Sequence, residues 1–422
     1  MKPNRKSLFL TITLAMVLSL SVAWTCTAAV PDPAPIDLGT LSGHNFSEAR
    51  AINANGQVVG ESYEGDTPYP KPFIWQNGVM AQLPLPEGFS EGVAASINDA
   101  GQVAGYCKGE DSLFQACLWE PDAGGWAVTA LGTPSLQLPE YTDQEVTFKN
   151  SFAFKINNAG QILVMARGIV YGETTKDNLK AWAIWQNRSW SFLTDSDGVP
   201  QIDTGWFFKM NENGQILFTK SNEEHDNLWF WDGETASFLV ESISWANLNN
   251  FGQIVGSYYN SASDQNENFT YDTATGGPNR FPVSDDGYSL VGINDNGQVL
   301  VEYKPQSTFD ENGYTTSIRT ELGITSFEDW SPTTASVTSL GSVDDYIDRY
   351  SSLNFNGNGE VSGRCGYTID KLFYASEKAG VVPLNGFLQD DSHLDVTAMN
   401  DSGVIIGRAW VQDSGAHAVL WG

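Results

Sequence analysis

Ile52-Asn53-Ala54-Asn55-Gly56-Gln57-Val58-Val59-Gly60 is the first copy of a phrase that the chain carries eight times. An apolar residue and Asn come first, then two variable residues and Gly, then in most copies Gln or Glu, then a β-branched run. The Asn recurs at Asn98, Asn157, Asn211, Asn249, Asn294, Asn356 and Asn400. The steps between copies are 45, 59, 54, 38, 45, 62 and 44 residues. Self-similarity at such a period marks a repeat architecture. Asn tolerates tight turns and Gly takes positive φ, so each phrase reads as a hairpin in which the strand before the Asn folds back onto the β-branched run.

Further strands follow each hairpin. An aromatic-rich run comes about ten to twenty-five residues later, spaced as strand turns at this period allow. Examples are Pro72-Phe73-Ile74-Trp75, Ala116-Cys117-Leu118-Trp119, Trp182-Ala183-Ile184-Trp185 and Leu228-Trp229-Phe230-Trp231. Weaker copies are Asn268–Tyr271 and Leu372–Tyr374, and the last is His417–Trp421. A turn and one more short apolar stretch close the unit, such as Val79–Leu83. The runs are short, β-branched and aromatic, and bounded by Gly, Asn, Asp and Pro, which is strand composition. Four strands per unit, A to D, predict a propeller blade.

Eight hairpins predict eight blades. The given chain reaches its last residue directly after the eighth C strand, while a D-like segment, Ile36–Leu41, stands before the first unit. Pairing the two completes the eighth blade and covers an open edge. The expected fold is therefore an all-β, eight-bladed propeller of four-stranded antiparallel blades, closed by the N- and C-terminal strands. A seven-bladed ring with one degenerate unit is the alternative, because the sixth and seventh units are long and irregular.

Ile-Asn-x-x-Gly-Gln-Val-Val-Gly followed by a strand like His417-Ala418-Val419-Leu420-Trp421 resembles the HAF repeat of bacterial extracellular proteins. The likeness spans Ile36 to Gly422, and Leu38-Gly39-Thr40-Leu41 is similar to the family's usual opening. The His-Ala-Phe triplet itself is replaced in most units. The resemblance implies a secreted, propeller-like protein and no particular activity.

Composition agrees with export. Lys2, Arg5 and Lys6 precede an apolar run from Leu8 to Val22, and Thr27-Ala28-Ala29 offers a cleavage site. Residues 1–29 are read as a secretory signal peptide and 30–422 as one propeller domain. An uncleaved anchor, or a lipid on Cys26, is the alternative, and no other stretch could span a membrane. The formal charge is −29, and losing three signal-peptide cations makes it −32. Such a chain is not expected to bind nucleic acid or an anionic membrane by charge. Cys107 and Cys117 lie in strands B and C of one blade, and an oxidising compartment predicts a disulfide between them. Cys365 has no evident partner.

Standard catalytic signatures are absent from the sequence. His44 and His393 lie in units that closure makes neighbours, but two ligands fall short of a zinc site. His417 reads as a packing residue in a strand. Asp195–Gly198 and Asp264–Asn268 resemble pieces of calcium loops, without the glycine and glutamate spacing of an EF-hand. No other cofactor is expected. Alternating strands put short A–B and C–D turns on one face and longer, acidic B–C and D–A loops on the other. Variable loops on a rigid scaffold are where binding residues collect. Phe152, Trp206, Trp245, Tyr288 and Tyr350 begin A strands beside those loops, with Asp203, Asp348 and Asp395 nearby. Of these, Trp206, Trp245, Tyr288, Tyr350, Asp203, Asp348 and Asp395 are the candidate binding residues. The expectation is a secreted, monomeric binding module for a carbohydrate or a protein. The alternatives are a polysaccharide-active enzyme using paired carboxylates and a structural surface protein.

Overall fold

The computed structural model describes residue 31 and residues 34–422, apart from 66–68, 136–144, 172–175, 202–203, 222–224, 277, 283–287, 310–314, 329–335, 344–352, 366–370, 388–393 and 413. Eight four-stranded antiparallel sheets follow one another along the chain. Blade 1 is typical, with strands Phe46–Ile52, Val58–Tyr63, Lys71–Gln76 and Val79–Gln82. Blade 8 takes three strands from the C-terminal region, Asp395–Met399, Ile405–Val411 and Gly415–Trp421. Its fourth is Ile36–Asp37, with Ile36 opposite Leu420 and Asp37 opposite Val419. The eight-bladed reading and its closure by both ends therefore hold. The sixth unit is long because its B and C strands, Gln298–Phe309 and Thr315–Ser326, run for 12 residues each.

The apolar faces of the strands meet between blades. Leu38, Leu41, Ala49, Val58, Phe73, Ile406, Ala418 and Leu420 join blade 8 to blade 1. Trp119 is fully buried between blades 1 and 2 beside Val59, Leu83 and Ile97. Its Nε1–H donates to the Pro84 carbonyl at 2.6 Å, and Trp421 donates likewise to Asn385 at 3.0 Å. A C-strand tryptophan thus ties its blade to the loop leaving the previous one, satisfying its polar atom while burying its area.

Both glycines of the phrase have structural causes. The turn glycine sits at positive φ in all eight copies, from 70° at Gly297 to 79° at Gly101, Gly359 and Gly403. The glycine that ends the phrase answers a β-bulge in strand A. A Cβ at Gly60 would lie 1.9 Å from the Glu48 carbonyl, and one at Gly407 1.9 Å from the Asp395 carbonyl.

The Asn does more than turn the chain. In every copy its Oδ1 accepts the backbone N–H four residues on, at 2.9–3.0 Å. In seven copies one Nδ2 hydrogen goes to the Gln or Glu side chain at that position; in the eighth Val404 stands there. The other Nδ2 hydrogen crosses to the next blade and reaches the carbonyl of the next Asn. Asn53 donates to Asn98, Asn98 to Asn157, and so on to Asn400, which donates back to Asn53, at 2.8–3.4 Å. All eight side chains are buried. The result is a closed circle of amides around the axis. Oδ1 is committed to an N–H, so the amide orientation follows from its partners.

Candidate functional site

The two faces are assigned by contacts between turns. Gln57, after the first A–B turn, donates to Gln76 at the first C–D turn at 3.2 Å, and Gln102 to Glu120 at 2.8 Å. B–C and D–A connections occupy the opposite face, as the sequence predicts.

The described members of the expected binding set belong to four different blades. Trp206 and Tyr288 stand in the A strands Thr204–Met210 and Tyr288–Ile293, Tyr288 opposite Tyr303. Asp203, Asp348 and Tyr350 lie outside the described residues. Trp245 is 6 % exposed and packs with Val255, Leu290, Ile293, Val299 and Val301 between blades 5 and 6. Asp395 is exposed and opens the A strand of blade 8 opposite Arg408. Phe152 meets Tyr106 and Phe114 with ring centroids 5.2 and 5.1 Å away, and the Arg167 guanidinium sits 5.9 Å over its ring.

Beside that aromatic cluster lies a run of charges on blades 8 and 1, close to Tyr106. Arg408 pairs with Glu48 at 2.5 Å, Glu48 with Arg50 at 2.8 Å, and Arg50 with Glu61 at 2.5 Å. Glu61 is 5 % exposed. Burial pushes its carboxyl above the usual range although the Arg50 hydrogen bonds pull the other way. Burial also raises the Tyr106 phenol, and the Glu61 charge adds to it. These carboxylates are committed to arginines: Glu48 joins blade 8 to blade 1 through Arg408, while Glu61 is held by Arg50 within blade 1.

A concave site lies elsewhere, in the seam between blades 4 and 5. A pocket of about 230 Å³ is bordered there by Phe238 and Tyr259. Both rings are open to solvent, 46 % and 39 % exposed. His225, Glu241, Asn260 and Ser261 supply polar groups around it. Each piece is locally fixed. The Phe238 ring sits edge-on to Trp229, centroids 6.0 Å apart. Ser242, at φ 51°, donates its N–H to Asn227 and accepts the Tyr259 N–H at 2.9 Å. Glu267 gathers the Tyr258 hydroxyl, the Asn260 amide and the Ser263 hydroxyl. The Tyr259 hydroxyl donates to Asp264, and that bond pushes the phenol above its usual range. His225 directly precedes the C strand Asp226–Trp231, and nothing in the sequence marks a pocket there. Phe238 and Tyr259 belong to different blades, and only the lateral fit of the two sheets brings them together.

The acidic stretches have other duties. Asp195 caps its own loop, its Oδ1 accepting the N–H groups of Asp197 and Val199. Of Asp264–Asn268, all but Asp264 belong to the C strand Gln265–Asp272, which corrects the loop expected there. His44 bonds to the Ser62 hydroxyl at 3.1 Å, and His393 lies outside the described residues. Among the described residues no group of three His, Cys, Asp or Glu side chains converges as a metal ion would need. His417 is a buried strand residue, as expected, and its Nδ1 meets the Asp37 carboxylate at 2.9 Å. Cys107 and Cys117 are free buried thiols, diagonal neighbours on strands where Cys107 faces Gln115 and Cys117 faces Gly105. A hydrogen bond with Cys117, then burial, push the Cys107 thiol well up.

No family model matches the chain, and no curated protein is significantly similar to it. Solved structures are similar in fold. The β-propeller domain of the trilobed protease from Pyrococcus furiosus aligns with a TM-score of 0.39 and 12 % identity, over 61 % of this chain and 79 % of that one. Puromycin hydrolase aligns with a TM-score of 0.47 and 12 % identity, over 93 % of this chain and 61 % of that one. Dipeptidyl peptidase 4 from Porphyromonas gingivalis gives 0.44 and 12 %, over 77 % and 51 %. This chain therefore spans between half and four fifths of those chains, and at such identity the likeness is one of fold: a β-propeller similar to the propeller domains of peptidases.

Proposed function

We propose that this protein is an exported binding module whose long-loop face holds one unit of a carbohydrate in the seam between blades 4 and 5. The observation that carries the reading is the pair of open rings, Phe238 and Tyr259, on a pocket that also offers Glu241, Asn260 and Ser261. A sugar ring has an apolar face that stacks on aromatics and a rim of hydroxyls that needs polar partners. The volume is below the roughly 300–1,000 Å³ of drug-sized sites, which suits a single ring of a longer chain. Export is supported by the basic and then apolar N-terminal stretch and by the resemblance of the repeat to the HAF repeat. The pocket's described lining contributes one carboxylate, Glu241, where glycoside cleavage uses two, so binding is preferred to catalysis.

The test is a glycan array on the mature protein, followed by calorimetry of any hit. Phe238→Ala and Tyr259→Ala should each weaken binding by about tenfold or more, as truncated aromatic anchors do, with little change in the unfolding midpoint. A hit that binds both variants undiminished, or an array without a hit, overturns the reading.

A further inference from the structure

Three cations of the B strands rest on aromatic rings. Lys108 Nζ lies 5.9 Å from the centroid of Phe114, the Arg167 guanidinium 5.9 Å from that of Phe152, and Lys220 Nζ 5.6 Å from that of Trp229. The three belong to the B strands of blades 2, 3 and 4, Val103–Gly109, Ile162–Tyr171 and Ile216–Ser221. The face of an aromatic ring is negative and attracts such a group.

Blade 5 has the rings and lacks the cation. Its strands Ile243–Leu248, Gln253–Asn260 and Gln265–Asp272 hold no lysine or arginine. Tyr259 on that B strand, and Phe238 on the D strand of blade 4, stand open on the pocket of the seam, and no described residue sets a cation over either ring. No lysine or arginine borders the pocket, where His225 is the one base. Lys220 of blade 4 is already engaged, with Trp229 and with Gln201 Oε1 at 3.2 Å.

Two further features suit this seam to positive charge. Glu241 borders the pocket, is exposed, and makes no hydrogen bond or ion pair with any described residue. Glu267, by contrast, is taken up by Tyr258, Asn260 and Ser263. The Tyr259 hydroxyl donates to the Asp264 carboxylate, and a phenol bonded in that way has a more electron-rich ring to offer a cation.

We propose that the seam of blades 4 and 5 takes a sugar with a free ammonium group, a hexosamine unit of a glycan, with Glu241 pairing its ammonium and the Phe238 and Tyr259 rings facing it. This rests on the carbohydrate reading of the same pocket and narrows it. An ammonium gains a charge-assisted bond to an uncommitted carboxylate together with the attraction of open rings, whereas a hydroxyl or an acetylated amine brings no charge to either.

Calorimetry at constant ionic strength and about pH 6, where an amine keeps its proton, tests the proposal with trimers of glucosamine, N-acetylglucosamine and glucose. The glucosamine trimer should bind about tenfold or more tightly than either neutral trimer. Glu241→Gln should remove that preference and leave the neutral trimers within about twofold, since the amide still hydrogen-bonds. The net charge of −29 draws any cation, so two controls separate the pocket from the general field. Glu377→Gln makes the same charge change on the C–D turn of blade 7, on the opposite face, and should keep the preference. Trilysine should bind more weakly than the glucosamine trimer. Neutral trimers that bind as well as glucosamine overturn this inference and leave the carbohydrate reading standing. No binding of any trimer at about 1 mM, the level of a very weak complex, overturns both. A preference that survives Glu241→Gln, one that Glu377→Gln lowers equally, or trilysine binding as tight as that of the glucosamine trimer overturns the assignment of the ammonium to this pocket.

Discussion

The A–B-turn face and the long-loop face are built on opposite plans. On the first, one Asn per blade repeats the same set of bonds eight times, and the circle closes through Asn400 and Asn53. On the second no two described seams match. Blades 8 and 1 are joined by the Arg408–Glu48 pair, blades 2 and 3 meet over Tyr106, Phe114 and Phe152, and blades 4 and 5 leave a pocket. The contrast separates two kinds of residue. What recurs with the period holds the ring together, and what departs from it gives each seam its own chemistry.

The largest effect should come from opening the circle. Deleting Pro35–Leu41 removes the fourth strand of blade 8 and the buried Leu38 and Leu41. Two such leucines are worth about 1.5–3 kcal/mol each, and a ladder edge is exposed as well. Denaturant unfolding should show a loss of about 3–6 kcal/mol on that area basis. A deletion that melts like the full chain would mean that the repeat faces hold without closure.

Next in size is the amide circle itself. Asn249→Ala strips partners from the backbone N–H groups of Phe251 and Gln253, the Gln253 side chain and the Asn294 carbonyl, all at a fully buried position. The expected cost is about 2–4 kcal/mol, since buried groups left unsatisfied cost more than a bond is worth. Asn55→Ala removes one exposed bond, to the Asp99 carbonyl, and should cost under about 1 kcal/mol. Equal losses in the two variants would reduce the Asn to a turn residue and remove the distinction between the faces.

The blade count, the strand order and the closing strand were all legible from the Asn-Gly phrase, because turn chemistry and strand composition are local. The circle was not read, although its mark is there. A hairpin needs the Asn and the Gly, but it does not need the Gln that follows in six copies. That Gln occupies one hydrogen of the Asn amide, leaving the other for the next blade. The candidate binding residues fared differently. Trp245 stands in an A strand like Phe152, whose strand Glu145–Ile156 starts well before it, yet Trp245 is buried while Phe152 is half-exposed. Which side of a bulged strand faces a neighbour depends on how two blades meet, and sequence spacing does not carry that. The same holds for Phe238 and Tyr259.

The smallest effect concerns the latch at the closing strand, and its pH dependence gives it a signature. Burial tends to raise the Asp37 carboxyl, but the hydrogen bonds from His417 and from the Gly39 N–H, with the charge of His417, outweigh it and hold it below its ordinary value of 3.8. A carboxyl whose folded pKa is depressed binds fewer protons folded than unfolded. Its contribution is therefore fully present above the unfolded value, and it is lost as the pH falls through the folded one. Asp37 is partly exposed, so solvent screens the pair and the contribution should be about 0.5 kcal/mol, the level of a surface ion pair. Asp37→Asn keeps an acceptor for the Gly39 N–H and removes the charge. Its urea midpoint should lie slightly below wild type at pH 6, and the gap should start to close near about pH 4, where the unfolded carboxyl begins to take up protons, and vanish as the pH falls through the lower folded value. Added salt should narrow the gap at pH 6. A gap that stays constant from pH 6 to pH 3 would show that the latch holds by shape and backbone pairing alone, like the repeated seams, and that the charge of Asp37 is incidental to closure.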